Sequence, residues 1–163
     1  MYTQILLLGG NQNDVIDSMQ KAIERLSYRL GSPIKASAYY ESEPWGFAAE
    51  QNFINQVVEF SSPLLPIDLL DLTQKTEMEL GRKAKTGTHY ESRPIDIDIL
   101  FIDSMEINSS RLTVPHPRLH KRRFTLLPLM DHWSGLLHPT MNKSIKQLLN
   151  ACTDSGTVKK VVL

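Results

Sequence analysis

Asp96 and Asp98 stand two residues apart in Ile95-Asp96-Ile97-Asp98-Ile99-Leu100-Phe101, the clearest strand pattern in the 163-residue chain. Strand residues point alternately to opposite faces, so Ile95, Ile97 and Ile99 go to one side and both carboxylates to the other. Spaced roughly 7 Å along the strand, the two acids are too far apart to share a proton comfortably. They are close enough to hold one or two hard cations, for which magnesium is the natural guest. The plain alternative is a solvated face whose aspartates pair with surface lysines. Asp is depleted in strands, however, and two in succession on one face repel, which costs stability for no structural return. A metal-binding pair is the better reading.

Cations supply the other half of the chemistry. Between Arg111 and Arg123 there are five Lys/Arg, two His and no acid, and Arg82–Arg93 carries four cations against one Glu. Two basic segments thus flank the Ile-Asp-Ile-Asp strand. A divalent metal between carboxylates with guanidinium groups around it suits polyphosphate transfer, and a nucleoside triphosphate is the obvious anion. Without the aspartates, each basic run would read as a solvated face. No G-x-x-x-x-G-K-[ST] motif occurs, so side chains must hold the phosphates, and Gly9-Gly10 reads as a tight strand-to-helix turn. Nucleic acid could also use the basic segments, but an aromatic RNP-type strand is missing.

These groups need a frame. Ile5–Leu8 reads as a short buried strand, and Val15, Met19, Ala22, Ile23, Leu26 and Leu30 then follow helical spacing. Asn13 or Asp14 is placed to cap that helix, and Gly31 to stop it. Ile34–Ser42 predicts a strand, and Phe53–Phe60 another. Pro66 opens a helix running to about Leu80 with Ile67, Leu70 and Leu80 facing inward, and Gly81 closes it. Arg82–Arg93 lacks apolar periodicity and reads as a long basic loop. After the Asp strand come Met105–Ile107, a Pro-His-Pro turn at 115–117, and helical patches near 122–132 and 144–151. The order β-α-β-β-α-β with additions predicts an α+β fold of the split βαβ, ferredoxin-like kind: an antiparallel sheet carrying two helices on one face.

Composition sets the bounds. A chain of 163 residues with 41% hydrophobic content predicts one domain over 1–163 with a real core. The 18 Lys+Arg balance the 18 Asp+Glu, so net charge offers no general attraction to nucleic acid or an anionic membrane. One cysteine, Cys152, excludes an intramolecular disulfide and suits a reducing cytosol. No apolar run approaches the roughly 20 residues of a spanning helix, and the start lacks a signal peptide's basic region. A cytoplasmic protein without a membrane or obligatory protein partner is expected, with ends that read as those of a stand-alone chain.

The chain resembles the 6-hydroxymethyl-7,8-dihydropterin pyrophosphokinases over almost its whole length. The likeness rests on Leu8-Gly9-Gly10-Asn11, Tyr40-Glu41-Ser42-Glu43-Pro44-Trp45-Gly46, Phe53-Ile54-Asn55, Glu77-Met78-Glu79-Leu80-Gly81-Arg82, Ser92-Arg93-Pro94-Ile95-Asp96-Ile97-Asp98-Ile99-Leu100, and Val114-Pro115-His116-Pro117-Arg118 through Arg122-Arg123-Phe124. Arg-x-x-Asp-x-Asp followed by Pro-His-Pro-Arg is specific in this order. The resemblance implies transfer of pyrophosphate from ATP to a pterin alcohol in folate biosynthesis, with Asp96 and Asp98 holding two magnesium ions. It assigns catalytic roles to Arg82 and Arg93 as well. Arg93, His116 and Arg122 match positions that bind phosphates, and Gln74, Glu77, Ile99, Arg111 and Thr113 match others of the ATP site.

A flat pterin with a donor–acceptor edge calls for two aromatic faces and an amide. The resemblance assigns these to Phe53, Phe124 and Asn55, helped by backbone groups of Ser42, Glu43 and Trp45. Taken singly, each Phe would read as core. The chain departs from the commoner pattern with Phe53 for a tyrosine, Tyr90 for a tryptophan, and Ala84-Lys85 where a loop arginine is usual. Two other readings compete: a ferredoxin-like nucleic-acid-binding module, and another magnesium-dependent nucleotide transferase with a different acceptor.

Overall fold

Four consecutive apolar residues, Ile5–Leu8, can all be buried in one strand only if the sheet is covered on both faces, and that is how the chain is built. In the computed structural model, which describes residues 1–12, 14–44, 52–81 and 94–163, this run lies in β1 (Tyr2–Gly10). Then follow α1 (Val15–Leu30), β2 (Lys35–Ala36), β3 (Tyr40–Ser42), β4 (Phe53–Ser62), α2 (Pro66–Glu79), β5 (Asp96–Ile102), β6 (Ile107–Asn108), β7 (Thr113–Val114), α3 (Arg123–Leu129), α4 (Ile145–Ala151) and β8 (Val158–Lys160). The main sheet runs β5-β1-β4-β3-β8, with β2 also on β4, while β6 and β7 form a separate ribbon. Every strand pairing among the described residues is antiparallel.

One face of β1 turns Leu6 and Leu8 toward α1 and α2, where Met19, Ala22, Leu26 and Leu69 pack with Val58, Phe60, Ile95, Ile97 and Ile99. The other turns Ile5 and Leu7 toward Leu126 and Leu129 of α3, Ile145 and Leu148 of α4, and Trp133. Full burial of a Leu, Ile or Phe contributes about 1.5–3 kcal/mol, so both layers hold the sheet.

Several expectations need correction. Gly9 and Gly10 do not form a turn; they are the last two residues of β1. Ile34–Ser42 is not one strand but two, with the regular ladder interrupted at Ser37–Tyr39. There the Ser37 amide still donates to the Val57 carbonyl at 2.8 Å, but the Val57 amide donates to the Ser37 hydroxyl at 2.9 Å and the Ala38 amide to Asp131 at 2.9 Å, so two of the bonds go to side chains. Asp14 precedes α1 at φ 56° without a side-chain cap, and Asn13 lies outside the described residues. On α2, Ile67 is exposed and Leu69 fully buried. Edge strand β8, on β3, has no counterpart in the expected order. Gly31 and Gly81 close their helices at φ 81° and 105°, where a side chain would be strained.

Candidate active site

The alternation expected of β5 is observed: Ile95, Ile97 and Ile99 enter the α1/α2 layer, whereas Asp96 and Asp98 line a cleft on the opposite face. Antiparallel register carries the row across the sheet. Asp96 faces Gly9, Gly9 faces Asn55, and Asn55 faces Tyr40; one step along, Asp98 faces Leu7 and Leu7 faces Val57. The cleft is lined by Leu7, Gly9, Ser42, Glu43, Phe53, Asn55, Asp96, Asp98, Arg122 and Phe124.

The two sides differ in chemistry. On the β5 side stand Asp96 and Asp98, and on the β4 side Phe53 and Asn55, while Arg122 and Phe124 enter from the start of α3; Ser42 and Asn55 are buried. Asn55 is 5% exposed, and its Nδ2 lies 3.5 Å from the Ser42 hydroxyl. The Arg122 guanidinium lies 5.4 Å from the centre of the Phe124 ring, a cation–π contact that ties the cationic group to the aromatic one.

A bulge in β5 places a further group on the acidic side. Opposite β1 the register steps from Leu6–Ile99 to Ile5–Phe101, leaving Leu100 as the extra residue. Its carbonyl accepts from the His116 amide at 3.0 Å, which brings His116 Nε2 to 3.9 Å from the Asp98 carboxylate. His116 Nδ1 accepts from the Arg118 amide at 3.1 Å, so the neutral ring carries its proton on Nε2 and offers a donor to the cleft. Burial, then Arg122, then Arg118 lower its pKa from 6.5 to about 4, outweighing the pull of Asp98 toward the charged form. The ring is expected to titrate near pH 4 when followed by proton NMR of the free protein. Because the folded pKa lies below the unfolded one, stability from this group is complete above pH 6.5 and declines as pH falls toward 4. A midpoint at or above 6.5 would contradict this placement.

Of the other expected residues, Thr113 and His116 line an adjoining groove with Asn108, His120 and His138. Glu77 is buried, and its carboxylate accepts from the Ile97 amide, between the two aspartates, at 2.9 Å. Ile99 is buried in the α1/α2 layer. Gln74 is exposed on α2, and Arg111 is engaged with Asp71 at 2.7 Å; neither lines the cleft. Trp45, Arg82 and Arg93 lie outside the described residues. Leu7 and Gly9 are cleft residues that the sequence reading does not place in the site. Gly9 stands in the motif Leu8-Gly9-Gly10-Asn11 but reads there as a turn, and the only signal for Leu7 is period-two alternation along β1, which selects a face but does not say what stands on the next strand.

Comparison with known proteins adds to this geometry. Residues 5–134 match the family model for 7,8-dihydro-6-hydroxymethylpterin-pyrophosphokinase. The chain is 43% identical over 136 residues to the 2-amino-4-hydroxy-6-hydroxymethyldihydropteridine pyrophosphokinase of Porphyromonas gingivalis, covering 82% of this chain and 92% of that protein. It is 41% identical over 147 residues to the protein of the same name from Aquifex aeolicus, covering 90% of each. Among solved structures, wild-type HPPK-DHPS of Plasmodium falciparum superposes with a TM-score of 0.70 at 17% identity, over 93% of this chain and 43% of that one. This last likeness concerns the fold, and the chain spans less than half of that larger protein.

Proposed function

The chain belongs to the 7,8-dihydro-6-hydroxymethylpterin-pyrophosphokinase family, and from that premise we infer how the two sides of its cleft divide the work. The enzyme transfers pyrophosphate from ATP to hydroxymethyldihydropterin in folate synthesis. In such a transfer the alcohol oxygen bonds to the β-phosphorus and gives up its proton to solvent, the bond from that phosphorus to the oxygen of the α-phosphate breaks, and AMP leaves. Catalysis of this kind is mostly positioning and neutralisation of charge.

The observation that carries the assignment of residues is the single cleft with carboxylates on its β5 side, a ring and an amide on its β4 side, and Arg122 and Phe124 entering from the start of α3. Phe53 and Phe124 take the faces of the pterin, and Asn55 reads its donor–acceptor edge, beside Ser42 and Glu43. Arg122 and the Nε2–H of His116 hold the phosphates, next to Thr113. Asp96 and Asp98 are the ligands of magnesium, two ions in this reading. Among the described residues no cluster of three or more His, Cys, Asp or Glu could enclose a metal. Two carboxylates alone suit magnesium, which keeps water and takes substrate phosphates as its remaining ligands. Bound there, the metal supplies positive charge against the triphosphate. Gln74, Ile99, Arg111, Trp45, Arg82 and Arg93 keep the roles implied by the family motifs.

The strand order β5-β1-β4-β3 with both crossover helices on one face supports a ferredoxin-like core, and α3, α4 and β8 are its C-terminal additions. We read residues 1–163 as one pyrophosphokinase domain acting in the cytoplasm without an obligatory protein partner. The match over residues 5–134 supports the first point. None of the helices among the described residues is long and apolar enough to cross a membrane. The nucleic-acid and alternative-acceptor readings are not favoured.

The deciding experiment measures AMP release from ATP. Release is expected to require both magnesium and the pterin alcohol. Steeply salt-dependent RNA binding without ATP consumption, or AMP release indifferent to the pterin, would overturn the reading.

A further inference from the structure

Gly9 occupies the centre of the row Asp96–Gly9–Asn55 and lines the cleft between metal carboxylates and amide. Its backbone is not in the left-handed region, which among described glycines is confined to Gly31 and Gly81. Conformational freedom therefore does not explain a glycine here. Space does: a Cβ at this position would stand 2.2 Å from Asn55 Oδ1 and 3.1 Å from Asn55 Cγ. Real contacts do not close to that distance, so one partner must move. Asn55 is buried, with its other amide atom turned to Ser42, so it can yield only by giving up its present orientation.

We infer that Gly9 is a positioning residue for substrate recognition: by carrying no side chain, it lets the Asn55 amide lie flat across β1 and face a planar heterocycle with alternating donors and acceptors. This rests on the reading of Asn55 as the group that meets the pterin edge. Gly9 touches neither transferred phosphate nor attacking alcohol in this role. It sets where the amide stands, and with it how far the recognised edge lies from Asp96 on the other side of the same row.

The test is a double-mutant cycle of Gly9→Ala and Asn55→Ala, read by steady-state kinetics, titration with a non-hydrolysable ATP analogue, and thermal unfolding. Either single change is expected to raise KM for the pterin alcohol by roughly tenfold or more, since a buried amide is displaced or removed. Affinity for the ATP analogue should stay within about twofold. With Asn55 already shortened, Gly9→Ala should add less than about threefold, because the two act through one contact.

Penalties that multiply, or a parallel loss of affinity for the ATP analogue, would overturn the role of Gly9. Should Gly9→Ala fail to fold, Asn55→Ala is expected to restore folding. Failure of the double variant as well would assign the constraint to the Ile54 carbonyl, 3.1 Å from the same Cβ position, and overturn the inference. An unaltered chain without pterin-dependent AMP release, or Asn55→Ala without effect on KM, would instead defeat the functional reading beneath it.

Discussion

An Asp98→Ala chain is expected to lose pterin-dependent AMP release by at least about a thousandfold and to unfold within a few degrees of the unaltered protein. The carboxylate is 38% exposed at the cleft, so its removal leaves no cavity in either packed layer. What disappears is one of the two carboxylates proposed as metal ligands, and with it the charge that would hold a divalent cation against the triphosphate. Asp98→Asn should be nearly as inactive, because it preserves shape and removes the charge. AMP formation measured at saturating ATP and magnesium decides the matter, with far-ultraviolet circular dichroism to verify the fold. Undiminished turnover in either variant would sink the metal assignment.

Glu77→Ala is expected to lower stability by roughly 1–3 kcal/mol, the cost of orphaning a buried donor, and to reduce turnover as well. The buried carboxylate accepts from the Ile97 amide, so α2 grips β5 between the two residues that must present their acids together. Without that grip the N–H of Ile97 loses its partner and the strand is held to the helix by apolar packing alone. Glu77→Gln retains an acceptor and should be milder. Denaturant unfolding at constant m-value reads the loss directly. A Glu77→Ala midpoint equal to that of the unaltered chain would show that the contact contributes nothing to stability.

Much of the frame was legible because its signals are local. The period of Val15, Met19, Ala22, Leu26 and Leu30 defines α1, and the alternation of Ile95–Ile99 defines the two faces of β5; both depend only on backbone repeat. Pro66 and Gly81 mark the limits of α2 for equally local reasons. Long-range partners account for the failures. The Ser37 hydroxyl and Asp131 interrupt the segment read as one strand, and neither contact leaves a mark in the periodicity of 34–42. Ile67 and Leu69 are both plausible inward residues until the angle at which α2 meets the sheet is known. The pairing of Arg111 with Asp71 is another long-range contact that the basic run in sequence does not show.

The sequence by itself determined the chemistry on offer: paired carboxylates on one strand face, basic segments on either side, and motifs specific enough to identify the family. Only the tertiary structure decided which of these groups share a cleft, since register across β5, β1 and β4 sets Asp96 and Asn55 on either side of Gly9. The physical reason is that a strand's faces follow from its own two-residue repeat, whereas neighbours across a sheet are selected by packing over the whole core. A glycine needed for room rather than for backbone freedom looks, in sequence, like any other glycine.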